Sequence, residues 1–278
     1  MRTAMRVPFI KMHGLGNDFI VLDSRGDTLP PIDARVAAAL ADRKTGIGCD
    51  QLVLIEPSNV ADLRMRIFNP DGSEVGACGN ASRAVALLQG QPCTIETGGG
   101  LIEARPADAG IAVNMGVPRF GWDELPLAYA MDTLAMPVGW EELENPVAVN
   151  VGNPHVVFFV PDCDAVELDR LGPLIENDPL FPERVNVNVA TVTGPESLRL
   201  RVWERGAGLT RACGTGACAT AIAAMRRGLT GRSVEVTLPG GPLRIDWDDD
   251  DAIIMTGPAI ESFRGDFAWE YYAGDNRV

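Results

Sequence analysis

Alternating and β-branched apolar runs dominate the pattern of hydrophobic and polar positions along this 278-residue chain. Gly, Pro and Asn separate the runs, an arrangement typical of short strands joined by turns. Two Ala-rich stretches break this pattern and predict helices, from Asn80 to Leu88 and from Thr215 to Arg227. The second, ATAIAAM at its centre, has no broad polar face, which predicts a helix buried on all sides. The predicted strands are 19–23, 52–56, 63–68, 156–160, 233–238 and 252–255.

The sequence also matches itself at a nearly constant shift. A shift of 135 aligns LRMRIF (63–68) with LRLRVW (198–203) and Cys78-Gly79 with Cys213-Gly214. Shifts of 136 and 141 align further Gly-rich segments in the same order. Such self-similarity over more than a hundred residues indicates a duplication. At the shift of 135, Gln51 falls on Asn186 and Asn69 on Glu204.

The duplication predicts the domain organisation. Two homologous halves are expected at 1–121 and 122–262, with the crossover in 120–140 and a tail, 263–278, that packs on the first half. The predicted fold is α+β, because each half has enough strands for a mostly antiparallel sheet wrapped around its central helix. The two halves would be related by a pseudo-twofold axis, with the active site between them.

Composition and charge narrow the possible partners. The formal net charge of −14 and the lack of a Lys/Arg cluster argue against nucleic acid or an anionic membrane as partner. No apolar run approaches the roughly 20 residues that span a bilayer, and MRTAMRVPFIKMHG has no signal-peptide core, so a cytoplasmic protein is expected. The only lysines are Lys11 and Lys44, which leaves few candidates for a Schiff base with pyridoxal phosphate.

The cysteines and histidines favour neither a disulfide scaffold nor a metal site. Six cysteines are too few for a disulfide framework in a chain of this length. The two histidines, His13 and His155, lie far apart, and neither has a metal-ligating neighbour at helical spacing. We therefore expect no metal.

Cys78 and Cys213 each stand between an extended stretch and the start of an Ala-rich helix. The unpaired N–H groups of a helix start stabilise an anion, and a cysteine there has a larger thiolate fraction. Neighbouring small residues allow backbone donors to approach a bound carboxylate. Each of these two positions therefore combines an acid/base group with backbone donors that can bind an anion. The other four cysteines are expected to be small buried apolar residues.

If the two halves face one another, two such cysteines flank one ligand from opposite sides. One thiolate would remove a proton from one face of a carbon, and one thiol would deliver a proton to the other face. The two groups must then be in opposite protonation states when substrate binds.

Six motifs spread over both halves accompany the two cysteines. They are KMHGLGNDF (11–19), GCDQ (48–51), FNPDGSEVGACGN (68–80), GNPH (152–155), RVN (184–186) and ERGAGLTRACGTGACA (204–219). By these motifs, the last of which is highly specific, the chain resembles the diaminopimelate epimerases, cofactor-independent enzymes of lysine and cell-wall precursor synthesis.

The resemblance implies epimerisation of LL-diaminopimelate to the meso form, with Cys78 and Cys213 as the catalytic pair. It implies that His155 and Glu204 tune the pKa of these thiols, and that Phe263 contributes to a homodimer. It also implies a set of polar groups that hold the substrate, namely Asn17, Gln51, Asn69, Gly79, Asn80, Asn153, Asn186, Glu204, Arg205, Gly214 and Thr215.

The chain departs from the family pattern at three places. Ala81 replaces a more usual Gly, Cys49 replaces a more usual Phe, and Pro70 precedes Asp71-Gly72. None of these changes removes an acid/base group, but Ala81 reduces backbone freedom at the first helix start. The choice of diaminopimelate over proline or another amino acid is therefore left open.

Two other classes remain as alternatives. Residues 214–219 fit the dinucleotide-binding pattern G-x-G-x-x-A with Glu235 about 20 residues on, but the preceding strand ends near Trp203, too early for that motif. A thiol-redox protein with a disulfide between Cys78 and Cys213 is also conceivable, although such a function does not require the asparagines.

Overall fold

The computed structural model describes residues 5–26 and 29–273. Its contacts divide the chain into two compact units, one made of residues up to 113 together with residues from 258 onward, the other of 114–257.

The first unit is built from strands around one long helix, with two shorter helices outside. Its elements are β1 Arg6–Gly14, β2 Asn17–Asp23, α1 Ala34–Ala41, β3 Gln51–Glu56, β4 Leu63–Phe68, β5 Glu74–Val75, α2 Gly79–Gln89, β6 Cys93–Thr97, β7 Gly100–Ala107 and β8 Gly110–Asn114.

The second unit repeats this order after a short hairpin. Its elements are β9 Gly139–Trp140, β10 Leu143–Glu144, β11 Val147–Asn150, β12 Pro154–Phe159, α3 Leu168–Glu176, β13 Asn186–Gly194, β14 Ser197–Glu204, β15 Gly208–Thr210, α4 Gly214–Arg226, β16 Ser233–Leu238, β17 Gly241–Trp247 and β18 Ile253–Gly257. The chain then returns to the first unit with β19 Ile260–Ala268 and α5 Glu270–Ala273.

Strand pairing confirms that the two units share one fold. In the first, β2 pairs with β3 and β4 with β6 in parallel, while the other strand pairs are antiparallel. In the second, β12–β13 and β14–β16 are the parallel pairs at the equivalent positions. The register also repeats, since Phe19 pairs with Gln51 and His155 with Asn186. The expected sheet, mostly antiparallel around a central helix in each half, is therefore confirmed.

Both predicted helices are present, each within one residue of its expected ends. Helix α4 contacts the strands β11 to β14 and β16 to β18, so the sheet surrounds it. None of its residues is exposed, as its apolar sequence predicts. Its small side chains, chiefly Ala and Gly, allow strands to approach from every direction.

The helices α1 and α3 were not predicted, and they cover the outer face of the sheet in their units. Val36 and Leu40 of α1 pack with Ile20 and Leu22 of β2. Leu171 and Ile175 of α3 pack in the same way against β12 and β13. Because side chains alternate across a strand, Phe19 in β2 and His155 in β12 lie on the opposite face, toward the central helix.

The predicted boundary at 121/122 falls inside the second unit. The Met115 N–H donates to the Ile253 carbonyl and the Arg119 N–H to the Asn150 carbonyl, both at 2.8 Å, and these bonds hold 114–121 within that unit.

The predicted tail boundary at 262/263 falls inside β19, which pairs with β1 of the first unit from Arg6 to His13. Phe263 lies in this strand, 52% exposed, with its ring edge against Phe9 at 5.9 Å between centroids. Within the described residues, no helix is long and apolar enough to cross a membrane.

Candidate active site

Cys78 stands at the N-cap of α2, with extended backbone (φ −151°, ψ 114°) and a partly exposed side chain. Its carbonyl accepts the N–H of Ser82 at 2.9 Å and the Ser82 hydroxyl at 3.0 Å, which fixes the first helical turn. The sulfur lies 4.0 Å from Oδ1 of Asn17, at the start of β2. Sequence reasoning placed Cys78 at a helix start, and the structure shows it there.

Asparagine side chains connect this first turn to a buried arginine. Arg83, fully buried in α2, donates to Oδ1 of Asn80 at 2.8 Å, and Nδ2 of Asn80 donates to Oδ1 of Asn17 at 3.1 Å. Arg83 Nε also donates to the Pro258 carbonyl at 3.3 Å. Arg83 was missed, although it is the one charged residue in the stretch 80–88.

A charged network fixes the other side of Asn17. Nδ2 of Asn17 donates to Asp50 Oδ2 at 3.2 Å, and Asp50 is bound by Arg43 at 2.7 Å. Asp18 accepts from both Lys11 and Arg43. Burial alone raises the pKa of Asp18, but the hydrogen bonds from Arg43 and Lys11 outweigh it and lower the pKa to about 2. The network thus holds the Asp18 carboxylate ionised beside the Gly-Asn turn.

Gln51 and Asn69 also come together in the first unit, as expected. Gln51 Nε2 donates to Asn69 Oδ1 at 3.3 Å, and Asn69 Nδ2 donates to Ser73 at 3.1 Å. Oδ1 of Asn69 is thereby turned to Gln51. Within the described residues, buried Oε1 of Gln51 has no hydrogen-bond partner, so it is free to accept a donor from a ligand.

Cys213 stands at the equivalent N-cap of α4, also extended (φ −122°, ψ 107°), but it is buried. Its sulfur accepts the Gly216 N–H at 3.3 Å and lies 3.5 Å from the Thr215 hydroxyl. Burial and the charge of Glu204 raise the pKa of this thiol well above its ordinary value, while the Thr215 and Gly216 donors lower it. The thiol form is therefore the resting state at neutral pH.

Glu204, at the end of β14, is the carboxylate that contacts Cys213. Burial raises its pKa, and hydrogen bonds from the Thr210 hydroxyl and the Cys213 thiol oppose that rise. Thr210 donates to Oε1 from the neighbouring strand β15. The Glu204 carboxylate is thus shared between the Thr210 hydroxyl and the Cys213 thiol.

His155 lies in β12 on the face toward α4 and is fully buried. It is bonded to Asn153 through Nε2 at 2.9 Å and to Asn188 through Nδ1 at 3.1 Å. Burial lowers the pKa of His155 to about 3; the contact with Asn188 raises this pKa and the charge of Arg205 lowers it, but burial dominates, so the imidazole is neutral. Asn153 in turn donates to Thr215 Oγ1 at 3.4 Å. Asn188 was missed; alternation along VNVNV places it on the same face as Asn186.

Asn186 and Arg205 are joined through the backbone. Asn186 Oδ1 accepts the Arg205 N–H at 3.0 Å, and its Nδ2 donates to the Pro154 carbonyl at 2.8 Å. The Arg205 guanidinium donates to the Glu183 carbonyl at 2.8 Å. Glu204 and Arg205 are adjacent in sequence but bond to different partners, Thr210 for Glu204 and the Glu183 carbonyl for Arg205.

Glu176, from α3, anchors the turn that carries these two residues. Its carboxylate accepts the Trp203 indole N–H at 2.7 Å and the Gly206 N–H at 2.9 Å, and it is only 5% exposed. A Cβ on Gly172 of the same helix would lie 2.4 Å from the Trp203 ring, so only Gly allows this contact. Glu176 was also missed, because its role depends on packing between elements distant in sequence.

The predicted site residues thus gather within their own units. Asn17, Asn80 and Cys78 meet in the first, with the Gln51–Asn69 pair at the ends of β3 and β4. In the second, Asn153, Thr215 and Cys213 meet, joined by His155 and Glu204. Gly79 and Gly214 are the first residues of α2 and α4. Among the residues that the structure describes, no group of three or more His, Cys, Asp or Glu is arranged to hold a metal ion.

Comparison with solved structures shows the same fold at low identity. A PhzF-family phenazine biosynthesis protein from Bacillus anthracis matches 95% of the chain and 99% of its own length, with TM-score 0.69 and 17% identity. A hydroxyproline epimerase from Agrobacterium vitis, bound to trans-4-hydroxy-L-proline, matches 96% of the chain and 92% of its own length, with TM-score 0.67 and 16% identity.

Sequence comparison gives much closer relatives. A diaminopimelate epimerase from Erythrobacter litoralis is 72% identical over 269 residues, 97% of this chain and all of that protein. Another from Rhizorhabdus wittichii is 64% identical over 98% of this chain and all of that protein. The model of the diaminopimelate epimerase family matches residues 9–121 and again 147–261, one segment for each repeat. The chain belongs to the diaminopimelate epimerase family.

Proposed function

We propose that this chain interconverts LL-2,6-diaminopimelate and meso-diaminopimelate, a step of lysine and cell-wall precursor biosynthesis. The observation that carries the proposal is the pair Cys78 and Cys213, each at the N-cap of the central helix in its own copy of one duplicated fold. Family membership supplies the substrate, because relatives such as the 72% identical protein from Erythrobacter litoralis are named diaminopimelate epimerase.

The proposed chemistry needs two protonation states and no cofactor. The thiolate of one cysteine takes the α-proton, leaving an electron pair on the α-carbon, and the thiol of the other delivers a proton to the opposite face. The first becomes a thiol and the second a thiolate, so protons balance and reversal exchanges the roles. Donors at the two helix starts stabilise the carboxylate on which negative charge develops.

Diaminopimelate carries two ammonium and two carboxylate groups, and the polar side chains gathered around each cysteine suit such a ligand. We propose that the asparagines and Gln51 hold the substrate together with Glu204 and Arg205, which supply opposite charges. His155, neutral and buried, acts on Cys213 through Asn153 and Thr215, and Glu204 acts on it directly. The remaining members of the proposed binding set are the asparagines, one threonine and the first glycine of each central helix, namely Asn17, Asn69, Asn80, Asn153, Asn186, Thr215, Gly79 and Gly214.

We further propose that the enzyme works as a homodimer in the cytoplasm. Half-exposed Phe263 on β19 supports the dimer, because a large aromatic ring on an outer strand is a common anchor of an interface. Acidic composition supports a small-molecule substrate and no nucleic-acid partner.

Deuterium incorporation at the α-carbon of diaminopimelate in heavy water tests the mechanism. We expect exchange and epimerisation by the wild type, and loss of epimerisation by about 10² to 10⁴ in both Cys78→Ala and Cys213→Ala, the range for general acid–base groups. Cys93→Ala, a cysteine in β6 away from both helix starts, is the matched control and should retain wild-type turnover.

Either single variant with wild-type epimerisation would defeat the two-thiol mechanism. Exchange into proline or hydroxyproline but not into diaminopimelate would defeat the substrate assignment while leaving the two-thiol chemistry intact.

A further inference from the structure

A buried polar pair distinguishes the second unit from the first at positions that the duplication makes equivalent. His155 pairs with Asn186, and Val157 with Asn188, between the parallel strands β12 and β13. The same register in the first unit is Phe19 with Gln51 and Val21 with Val53. Phe19 and Val53 thus stand where the second unit has His155 and Asn188, and all four side chains are fully buried. The first unit shows that an apolar pair at these positions is enough for the fold. The polar pair of the second unit is therefore not required for folding and has a different role.

The orientation of the Asn188 amide is fixed by its neighbours. Its Nδ2 lies 3.0 Å from the Val156 carbonyl, which can only accept, so the atom facing it must be the NH₂. The second hydrogen of that NH₂ points to Nδ1 of His155 at 3.1 Å. Nδ1 therefore accepts, and in the neutral ring the proton stands on Nε2.

From Nε2 the hydrogen bonds run in one direction. Nε2–H donates to Asn153 Oδ1 at 2.9 Å, which turns the NH₂ of Asn153 toward Thr215 Oγ1 at 3.4 Å. Thr215 accepts that bond, and its own hydrogen is left for the Cys213 sulfur at 3.5 Å. The sequence of donors starts at Asn188 and ends at the sulfur.

The far end of the Asn188 amide reaches the same place. Within the described residues, its buried Oδ1 has no hydrogen-bond partner. A Cβ on Gly216 would lie 2.8 Å from this oxygen and 3.2 Å from the Cys213 sulfur. Asn188 Oδ1 and Cys213 Sγ therefore border one small space over the first turn of α4.

We propose that Asn188 is a positioning residue that fixes His155 as the neutral Nε2–H tautomer and so makes Thr215 a donor to Cys213. Without this constraint, the ring and the Asn153 amide can reverse together, and Thr215 then turns its hydrogen toward Asn153. The proposal rests on the proposed function only in that Cys213 is taken as an acid/base group. Two charged groups act on Cys213 and His155. Glu204 lies beside the Cys213 thiol, and Arg205 acts on His155.

The tautomer can be measured directly by long-range ¹H–¹⁵N correlation of the imidazoles. The chain has two histidines, so His13→Gln identifies the signals of His155. We expect the Nε2–H tautomer with no titration from about pH 5.5 to about pH 8.5. An Nδ1–H tautomer or an imidazolium in the wild type would overturn the proposal, whether or not any variant folds.

Asn188→Val installs the residue that the first unit carries at this position. We expect a mixture of His155 tautomers and a kcat about tenfold lower, the effect of one lost hydrogen bond in the arrangement. The limb of the pH profile of kcat/KM that reports the Cys213 thiolate should move upward by about one unit, because the sulfur loses a donor.

Thr220→Val is the matched control, since Thr220 is also fully buried and its hydroxyl has no partner within the described residues. It should retain the wild-type tautomer and pH profile. An Asn188→Val enzyme with a pure Nε2–H tautomer and an unchanged pH profile would overturn the proposal. Failure of diaminopimelate turnover in the wild type would instead defeat the proposed function, since the tautomer is read without substrate.

Discussion

Cys78 and Cys213 occupy equivalent positions, yet the asparagines beside them are oriented differently. In the first unit the NH₂ of Asn17 is held by the Asp50 carboxylate, so its oxygen faces Asn80 and the Cys78 sulfur. In the second unit the oxygen of Asn153 is held by His155, so its NH₂ faces Thr215.

The different orientations of Asn17 and Asn153 follow from the residues at the two ends of each series of hydrogen bonds. The first set runs from the Arg83 guanidinium, which can only donate, to the Asp50 carboxylate, which can only accept. The second runs from the Asn188 amide to the Cys213 sulfur. The Cys78 sulfur thereby faces an amide oxygen, whereas the second set of hydrogen bonds brings the Thr215 hydroxyl to the Cys213 sulfur, which also contacts the Glu204 carboxylate. In the duplicated backbone, Asp50 and Asn188 thus orient the groups that face the two sulfurs.

The largest expected effect comes from making the second helix start more like the first. Gly216 is equivalent to Ala81, and a Cβ at 216 would lie 2.8 Å from Asn188 Oδ1 and 3.2 Å from Cys213 Sγ. Gly216→Ala should therefore displace the sulfur and lower kcat/KM about a hundredfold, as displacements near 1 Å do. Steady-state kinetics of epimerisation measure this decrease in kcat/KM. Ala81→Gly is the control and should retain activity; a fully active Gly216→Ala enzyme would show that the close contact is not required.

A smaller effect is expected from the buried arginine of the first unit, whose equivalent in α4 is the neutral Cys218. Arg83→Met keeps most of the volume but removes the buried hydrogen bond that Arg83 donates to Asn80 Oδ1, which should lower the free energy of unfolding by about 2 kcal/mol. Denaturant unfolding measures this loss. Arg64→Met, at a half-exposed side chain, should change stability by less than about 0.5 kcal/mol. Equal stability of the two variants would mean that Arg83 does not organise the first unit.

The smallest expected effect concerns Glu204. This carboxylate of the second unit is equivalent to the neutral Asn69 of the first unit. Burial raises the pKa of Cys213 and the Glu204 charge raises it further, so Glu204→Gln should lower that pKa by about one unit. Alkylation of the Cys213 peptide, followed by mass spectrometry against pH, should then begin at lower pH. Glu235→Gln, at an exposed residue, should leave the alkylation profile unchanged. A shift to higher pH in Glu204→Gln would reverse the assigned sign.

The duplication and the central helices were predictable because their signals are local. Alternation marks β4 and β16, and the Gly-rich turns before 80 and 215 mark the helix starts. Helix α1 was missed because ARVAAALA is short, and α3 because Pro173 interrupts LDRLGPLIE. The resemblance supplied the proposed site residues, and their roles stay predictions.

The residues behind the site were not predictable in the same way. Asn188 and Arg83 look like ordinary polar residues in a strand and a helix. Their importance depends on which face is buried and on which carbonyl lies opposite, Val156 for one and Pro258 for the other. Glu176 acts on Trp203, 27 residues away in sequence. Such pairings arise only when distant elements pack.

The pairing of β1 with β19 has a consequence for the order of folding. Residues 114–257 form a unit that is continuous in sequence, whereas the other unit needs β19 to cover β1 from Arg6 to His13. Domains generally fold as units while the chain is synthesised from its N-terminus. Here the unit that begins second is complete first, and the Pro258 carbonyl that receives Arg83 emerges only afterwards. On the ribosome, we therefore expect the surroundings of Cys213 to be assembled before those of Cys78.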